Sequence, residues 1–142
     1  MITIGKLTDF TLTQVVTLFK ERVAVFVVEQ ACPYQEIDEA DYQATHIALW
    51  QGEELMAYTR VIDRGTEITF GRVLVTQAFR GQQLGRQIVS MTLAEIEKNY
   101  PDKPVQISAQ AYLEKFYGSF GFEVISAEYL EDGIPHIDMV LH

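Results

Sequence analysis

Val73-Leu74-Val75-Thr76-Gln77-Ala78-Phe79-Arg80-Gly81-Gln82-Gln83-Leu84-Gly85-Arg86 is the stretch on which the fold turns. Val73 to Val75 is an apolar, mostly β-branched run and reads as the end of a strand. After it, Leu84, Ile88, Val89, Leu93, Ile96 and Tyr100 recur at helical spacing until Pro101, which predicts a helix from Gly81 to Tyr100. A strand that turns into a helix presents the first helical amides without internal partners, and the helix dipole adds partial positive charge there. Such an end suits phosphate oxygens. Gly81 and Gly85 let a ligand approach the backbone, while Arg80 and Arg86 supply charge. Neither a Walker A loop nor a Gly-x-Gly-x-x-Gly dinucleotide fingerprint is present.

Upstream of this stretch, Ile47 to Trp50, Leu55 to Ile62 and Glu67 to Val75 read as successive strands. Gln51-Gly52 and Asp63-Arg64-Gly65 supply the turns between them. Further back, Ile2, Ile4 and Leu7 open an edge strand. Thr11-x-x-Gln14 fits a capping box, and Leu12, Val15, Val16, Phe19, Val23 and Phe26 follow at helical spacing, so these residues are expected to face the core. That helix should fail before Pro33. Gln30 to Ala44 reads as a long acidic connection.

Downstream, Val105 to Ser108 is a buried strand and Ala111 to Ser119 a short helix. Phe122 to Ala127 is a strand, Glu131-Asp132-Gly133 a turn, and His136 to His142 the last strand. The order predicts an α/β (α+β) fold, one domain over residues 1–142. Its mixed, mostly antiparallel sheet should have about six or seven strands, with helices on both faces.

Charge narrows the function. The formal net charge is −9, which argues against a phosphate polymer as partner. Glu29 to Glu54 holds seven acids and no Lys or Arg, whereas Ile68 to Ala94 holds Arg72, Arg80 and Arg86 and no acids. The basic segment suggests a local anion site, and the acidic one an attraction for cations. No apolar run reaches the roughly 20 residues of a membrane helix. Met1 to Leu7 lacks the layout of a leader peptide. Cys32 is the only cysteine, so no internal disulfide can form, and a cytoplasmic protein is expected.

The motifs resemble those of the GNAT acetyltransferases. That family carries a strand followed by Arg/Gln-x-x-Gly-x-Gly/Ala, whose amides hold the coenzyme A pyrophosphate. Arg80, Gly81, Leu84, Gly85 and Arg86 match it, with Gln83 in place of the usual middle glycine. Phe116-Tyr117-Gly118-Ser119-Phe120-Gly121-Phe122 matches the family's Phe-Tyr-x-x-x-Gly-Phe. The ElaA-like branch is closer still. The likeness there runs through Arg22-x-x-Val25-Phe26-Val27-Val28-Glu29-Gln30-x-Cys32-Pro33-Tyr34-x-Glu36-x-Asp38-x-x-Asp41, His46, Arg60-Val61, Gly71-Arg72-Val73, Ala109-Gln110-Ala111 and Glu131 to His136.

The resemblance implies a GNAT-like sheet and acetyl transfer from acetyl-coenzyme A to a primary amine by direct attack. The acceptor would be a small-molecule amine or a peptide N-terminus, with no nucleic acid or membrane partner. Val73, Leu74, Val75, Arg80, Gly81, Gln82, Gln83, Leu84, Gly85, Arg86, Gln110 and Phe116 would hold the cofactor, with an amide near Leu74 or Val75 polarising the carbonyl. Tyr117 would protonate the departing sulfur. His136 and Glu29 lead the candidates for the base, with His46, Glu67, Glu36, Asp38 and Asp41 also open. Arg22, Phe26, Cys32, Glu36, Asp38, Asp41 and His46 would face the acceptor, and no metal is implied.

Two alternatives share parts of this pattern. A coenzyme A sensor would keep the phosphate loop but would not need Tyr117. Acyl-homoserine-lactone synthases share an Arg-x-x-Val-Phe element like Arg22 to Phe26. Cys32 also permits a covalent route. Exposed edge strands leave a monomer or a homodimer open.

Overall fold

A computed structural model describes residues 1–142. It contains an eight-stranded sheet: β1 (Ile2–Gly5), β2 (Thr45–Gln51), β3 (Glu54–Asp63), β4 (Ile68–Val75), β5 (Val105–Gln110), β6 (Glu123–Val124), β7 (Tyr129–Glu131) and β8 (Ile134–Leu141). The spatial order is β1-β2-β3-β4-β5-β8-β6, with β7 also paired to β8. All pairings are antiparallel except β4 with β5. The mixed, mostly antiparallel sheet is therefore as expected, with one more strand. The strand expected over 122–127 shrinks to Glu123–Val124. The additional strand is β7, which the Asp132-Gly133 turn folds onto β8. Both turn residues have positive φ, +51° and +77°, as a two-residue hairpin loop requires.

Helix α1 (Leu12–Val23) begins at the expected capping box. The Thr11 amide donates to Gln14 Oε1 at 2.9 Å, and the Gln14 amide donates to Thr11 Oγ1 at 3.1 Å. Its buried stripe differs from the expected one. Leu12 and Val16 face solvent, while Leu18 and Arg22 are fully buried. The stripe runs through Val15, Leu18, Phe19 and Arg22 because the helix packs over β2 and β3, on Ala48, Trp50, Leu55 and Tyr58. A widened helical turn, Ala24–Glu29, carries the chain onward to the acidic loop.

Helix α2 (Leu84–Asn99) covers the opposite face. Leu84, Ile88, Val89 and Ile96 pack on Ile47, Leu49, Ala57, Val61 and Phe70. It starts three residues later than expected, because Gly81 and Gln83 have φ of +86° and +63°, which no α-helix accommodates. Helix α3 (Glu114–Gly118) packs Tyr117 and Phe116 against the same core. No helix is long and apolar enough to cross a membrane.

Two irregularities position the site. Strands β4 and β5 pair only at Ile68↔Val105 and then separate. Strand β4 also carries a bulge against β3. Tyr58 pairs with Leu74 and Arg60 with Gly71, so Thr59 faces both Arg72 and Val73. Arg72 takes φ +54° there.

Candidate active site

Where β4 and β5 part, a cleft of about 530 Å³ opens through the middle of the sheet. Val73 to Val75 form one side and Ile107 to Gln110 the other, with Tyr112 and Tyr117 beyond. A strand edge that has lost its neighbour exposes amides and carbonyls to whatever enters. The cleft therefore offers backbone donors along one wall and aromatic surface along the other.

At one end the cleft meets a second hollow of about 380 Å³, lined by Val75, Arg80, Gly81, Gln83, Leu84, Gly85, Arg86 and Phe116. The turn from Arg80 to Gln83 delivers α2 with its first amides facing this hollow. Gln83 holds the left-handed conformation that explains a glycine preference at its position. A methyl group added at Gly81 would meet nothing within 4 Å, and one at Gly85 would meet only Val75 Cγ2, at 3.9 Å. The space beside both glycines is thus open rather than filled by the protein, as a cradle for phosphate requires. Arg80 Nε donates to the Val75 carbonyl at 3.0 Å and Nη2 to Glu29 Oε1 at 3.0 Å. Arg86 Nη2 donates to Ser119 Oγ at 3.0 Å, and its guanidinium lies over Phe116 and Phe120.

Tyr117 is 6% exposed and lines the cleft. Burial pushes its phenol up to about 12, with a smaller contribution from Tyr112. Its ring is fixed edge-on against Phe116 and Phe122.

The other end of the cleft lies on the α1 side of the sheet, beside α1, because Ile107, Ala109, Ile137 and Met139 turn to the α2 core. Here Ser108, Gln110 and His136 form a polar floor. Gln110 pairs with His136, and Ser108 with Asp138, across β5 and β8. His136 Nδ1 donates to the Ile134 carbonyl at 2.7 Å, which leaves Nε2 as the proton-accepting nitrogen of the neutral ring, 3.4 Å from Glu131 Oε2. Tyr129 stacks on the imidazole, donates to Asp138 Oδ1 at 2.6 Å and shares a hydrogen bond with Ser108 Oγ. No periodicity or motif marks Tyr129, Ser108 and Asp138 in the sequence. Only the Ser108↔Asp138 and Tyr129↔His136 registers unite them.

The remaining expected site residues separate into two groups. Phe26, Glu29 and Cys32 line the cleft with Tyr34. The Cys32 thiol donates to the Asp132 carbonyl at 3.3 Å. Arg22, Glu36, Asp38, Asp41 and His46 do not line it, and they form an ionic cluster behind it. Arg22 Nε donates to both oxygens of Glu36 at 3.1 and 3.0 Å, and Nη1 and Nη2 bond Asp41 at 2.7 and 3.1 Å. Arg60 Nη1 bonds Asp38 and Asp41, and Arg72 bonds Glu36. Glu36 and Asp41 are 2% and 3% exposed. Their expected service as acceptor-attracting surface charge is therefore corrected, because three arginines already neutralise the run.

Burial opposes ionisation of Asp41, but hydrogen bonds from Arg22 and the Asp38 amide hold its carboxyl down to about 2. His46 is fully buried between the Tyr58 hydroxyl and the Asp41 carbonyl. Burial lowers its pKa and keeps it neutral, which removes it from the candidates for a solvent-linked base. Glu67 does not line the cleft.

The likeness to known proteins agrees with this geometry. The family model described as "Acetyltransferase (GNAT) domain" matches residues 7–142. Protein ElaA of Escherichia coli (strain K12) is 45% identical over 136 residues, covering 92% of this chain and 89% of that one. The crystal structure of Escherichia coli ElaA superposes with a TM-score of 0.95 at 42% identity, over 100% of this chain and 99% of that one. An acyl-CoA N-acyltransferase from Pseudomonas aeruginosa gives 0.94 at 41% identity, over 99% and 97%. An open seam in the sheet, a phosphate-type helix start and matches along nearly the whole chain agree: the chain belongs to the GNAT acetyltransferase family and is ElaA-like.

Proposed function

We propose that this chain is an acetyl-coenzyme A-dependent N-acetyltransferase that serves a small primary amine or a peptide N-terminus by direct transfer. The observation that carries the reading is a cleft and an adjoining hollow that share Val75 and Arg80. The hollow holds the open cradle of Gly81, Gln83, Gly85 and Arg86, and the cleft holds the Tyr117 phenol in the sheet seam and His136. The naming of the Pseudomonas aeruginosa relative as an acyl-CoA N-acyltransferase supports a coenzyme A thioester as donor.

When bound, the thioester supplies the acetyl group. The residues of the chain then divide the labour. The amides from Gln82 to Gly85, with Arg80 and Arg86, receive the phosphates. Alternate amides between Val73 and Val75 face the opened edge of β4, and one near Leu74 or Val75 polarises the carbonyl. Phe116, in the hollow, and Gln110, in the cleft, would hold the remainder of the donor. Orientation between cradle and floor is the largest contribution, because aligned reactants save on the order of 7–11 kcal/mol.

Tyr117 donates a proton or hydrogen bond to the departing sulfur. With its phenol raised to about 12, it remains a donor throughout the neutral range. His136 Nε2 accepts the proton that the ammonium must lose, while its Nδ1–H stays on the Ile134 carbonyl. Glu29, exposed beside Arg80, steadies that arginine at the cleft mouth. Direct transfer is favoured over a route through Cys32, whose buried thiol is engaged with a carbonyl and has no cation as a partner.

Calorimetric titration with acetyl-coenzyme A, followed by a thiol-release assay against an amine panel, tests the reading. Micromolar binding and amine-dependent thiol release are expected. Tyr117→Phe should lower kcat about 10- to 100-fold with donor affinity within threefold, at or below the foot of the roughly 100- to 10,000-fold range of general acid catalysis, because a phenol is a weak acid toward a thiolate. Absence of binding at millimolar donor would refute the proposal.

A further inference from the structure

The bulge in β4 is held from outside the sheet. Arg72 occupies it with φ +54°, a conformation that disfavours a residue with a Cβ by roughly 1–2 kcal/mol. Such a conformation persists where surrounding contacts over-determine it. Here the contacts come from the acidic loop. Arg72 Nε donates to Glu36 Oε2 at 2.5 Å, Nη2 donates to the Glu36 carbonyl at 3.0 Å and lies 3.5 Å from Asp38 Oδ2, and the guanidinium stacks over Tyr34 at 5.4 Å. Glu36 is in turn fixed by Arg22, which α1 buries completely. A chain of bonds therefore leads from the last turn of α1, through Glu36, to the residue immediately before Val73.

We propose that Glu36 and Arg72 form a positioning clamp that sets the direction of the β4 edge from Val73 to Val75, the edge facing the seam. The inference rests on the proposed acyl transfer for its kinetic consequence only. Its structural content stands without it. Through the bulge, Ile68 and Phe70 face the α2 core before it, and Val73 and Val75 face that core after it. Without the extra residue the strand would turn its opposite face to the seam. Two bonds to Glu36 hold the residue that creates this switch.

The decisive variant is Arg72→Gly, because glycine adopts φ +54° without strain, so what is lost is the Arg72 side chain with its contacts to Glu36, Asp38 and Tyr34. Two readouts are needed. Amide hydrogen exchange, resolved by residue, should speed up at least tenfold at Leu74, the amide of the Val73 to Val75 stretch that is paired to β3, and stay within twofold at Ile47 and Leu49. For acetyl transfer, kcat should fall at least tenfold, with acetyl-coenzyme A affinity by calorimetry within threefold. Arg72→Lys keeps the charge but cannot make the paired contacts, so its exchange and kcat should fall between wild type and Arg72→Gly. Wild-type exchange at Leu74 in Arg72→Gly overturns the clamp. Should Arg72→Gly fail to fold, the same exchange measurement on Arg72→Lys decides, and unchanged rates there overturn it too. A wild-type protein that transfers no acetyl group would sink the functional reading alone, and the exchange data would still decide the clamp.

Discussion

Two regions of this molecule are rich in arginine, and they use it in opposite ways. At the cleft wall and behind it, Arg22, Arg60 and Arg72 meet Glu36, Asp38 and Asp41, and the charges cancel within the protein. At the start of α2, Arg80 and Arg86 stand beside amides that face open space. The first cluster fixes a loop, and the second remains available to a ligand. Charge density alone does not separate these roles. What separates them is burial of the partner: Glu36 and Asp41 are sealed inside the protein, whereas Arg80 meets Glu29 in solvent.

The contrast can be broken most forcefully at Arg22. Arg22→Ala leaves Glu36 with Arg72 and Asp41 with Arg60 but removes the fully buried guanidinium the two acids share, so stability should fall by about 3 kcal/mol. Urea unfolding measures it, and a loss under 1 kcal/mol would mean the cluster relaxes freely. Arg80→Glu should do the reverse. It removes a half-exposed side chain whose partner Glu29 is also solvated, so the unfolding midpoint should hardly move. Acetyl-coenzyme A affinity should drop about 30-fold, or roughly 2 kcal/mol. Equal losses of stability and affinity in both variants would erase the distinction.

Acid sharpens the same comparison. His46 is held neutral below its usual 6.5, so the unfolded chain takes up the proton first and stability declines as pH falls through 6.5. The slope cannot exceed about 1.4 kcal/mol per pH unit for one proton. Asp41, held at about 2, contributes stability that is complete above 3.8 and lost toward 2. Unfolding midpoints at pH 7.5 and 5.5 should differ in wild type and converge in His46→Gln. The smallest effect belongs to the cradle. Gln83→Gly relieves a left-handed residue but frees the unfolded chain, so stability should change by less than about 1 kcal/mol. A larger loss would show that the Gln83 side chain supports the loop.

The parts of the molecule legible in the sequence are those whose physics is local. The capping box at Thr11, the apolar stripe of α2 and the glycine-punctuated turn before it each depend on neighbours within a few residues. So did the Phe116–Phe122 motif that brings Tyr117 to the seam. The misreadings came where distant partners decide. Leu12 and Val16 looked like core because they are apolar, yet the stripe position went to Arg22, whose charge is answered by a loop 14 and 19 residues later. The acids of that loop looked like solvated charge for the same reason. Ser108, Tyr129 and Asp138 were invisible because strand register alone unites them.

The single pairing between β4 and β5 has one more consequence. The two halves of the sheet are mortared by side chains and α2 rather than by a ladder of peptide bonds. Whatever fills the seam becomes part of the masonry. A donor molecule lodged there would act as a keystone, adding roughly 2.7 kcal/mol to the folded state at a hundred times its dissociation constant. The protein would then be sturdiest while loaded and loosest after release, so its own turnover would be written into its resistance to heat.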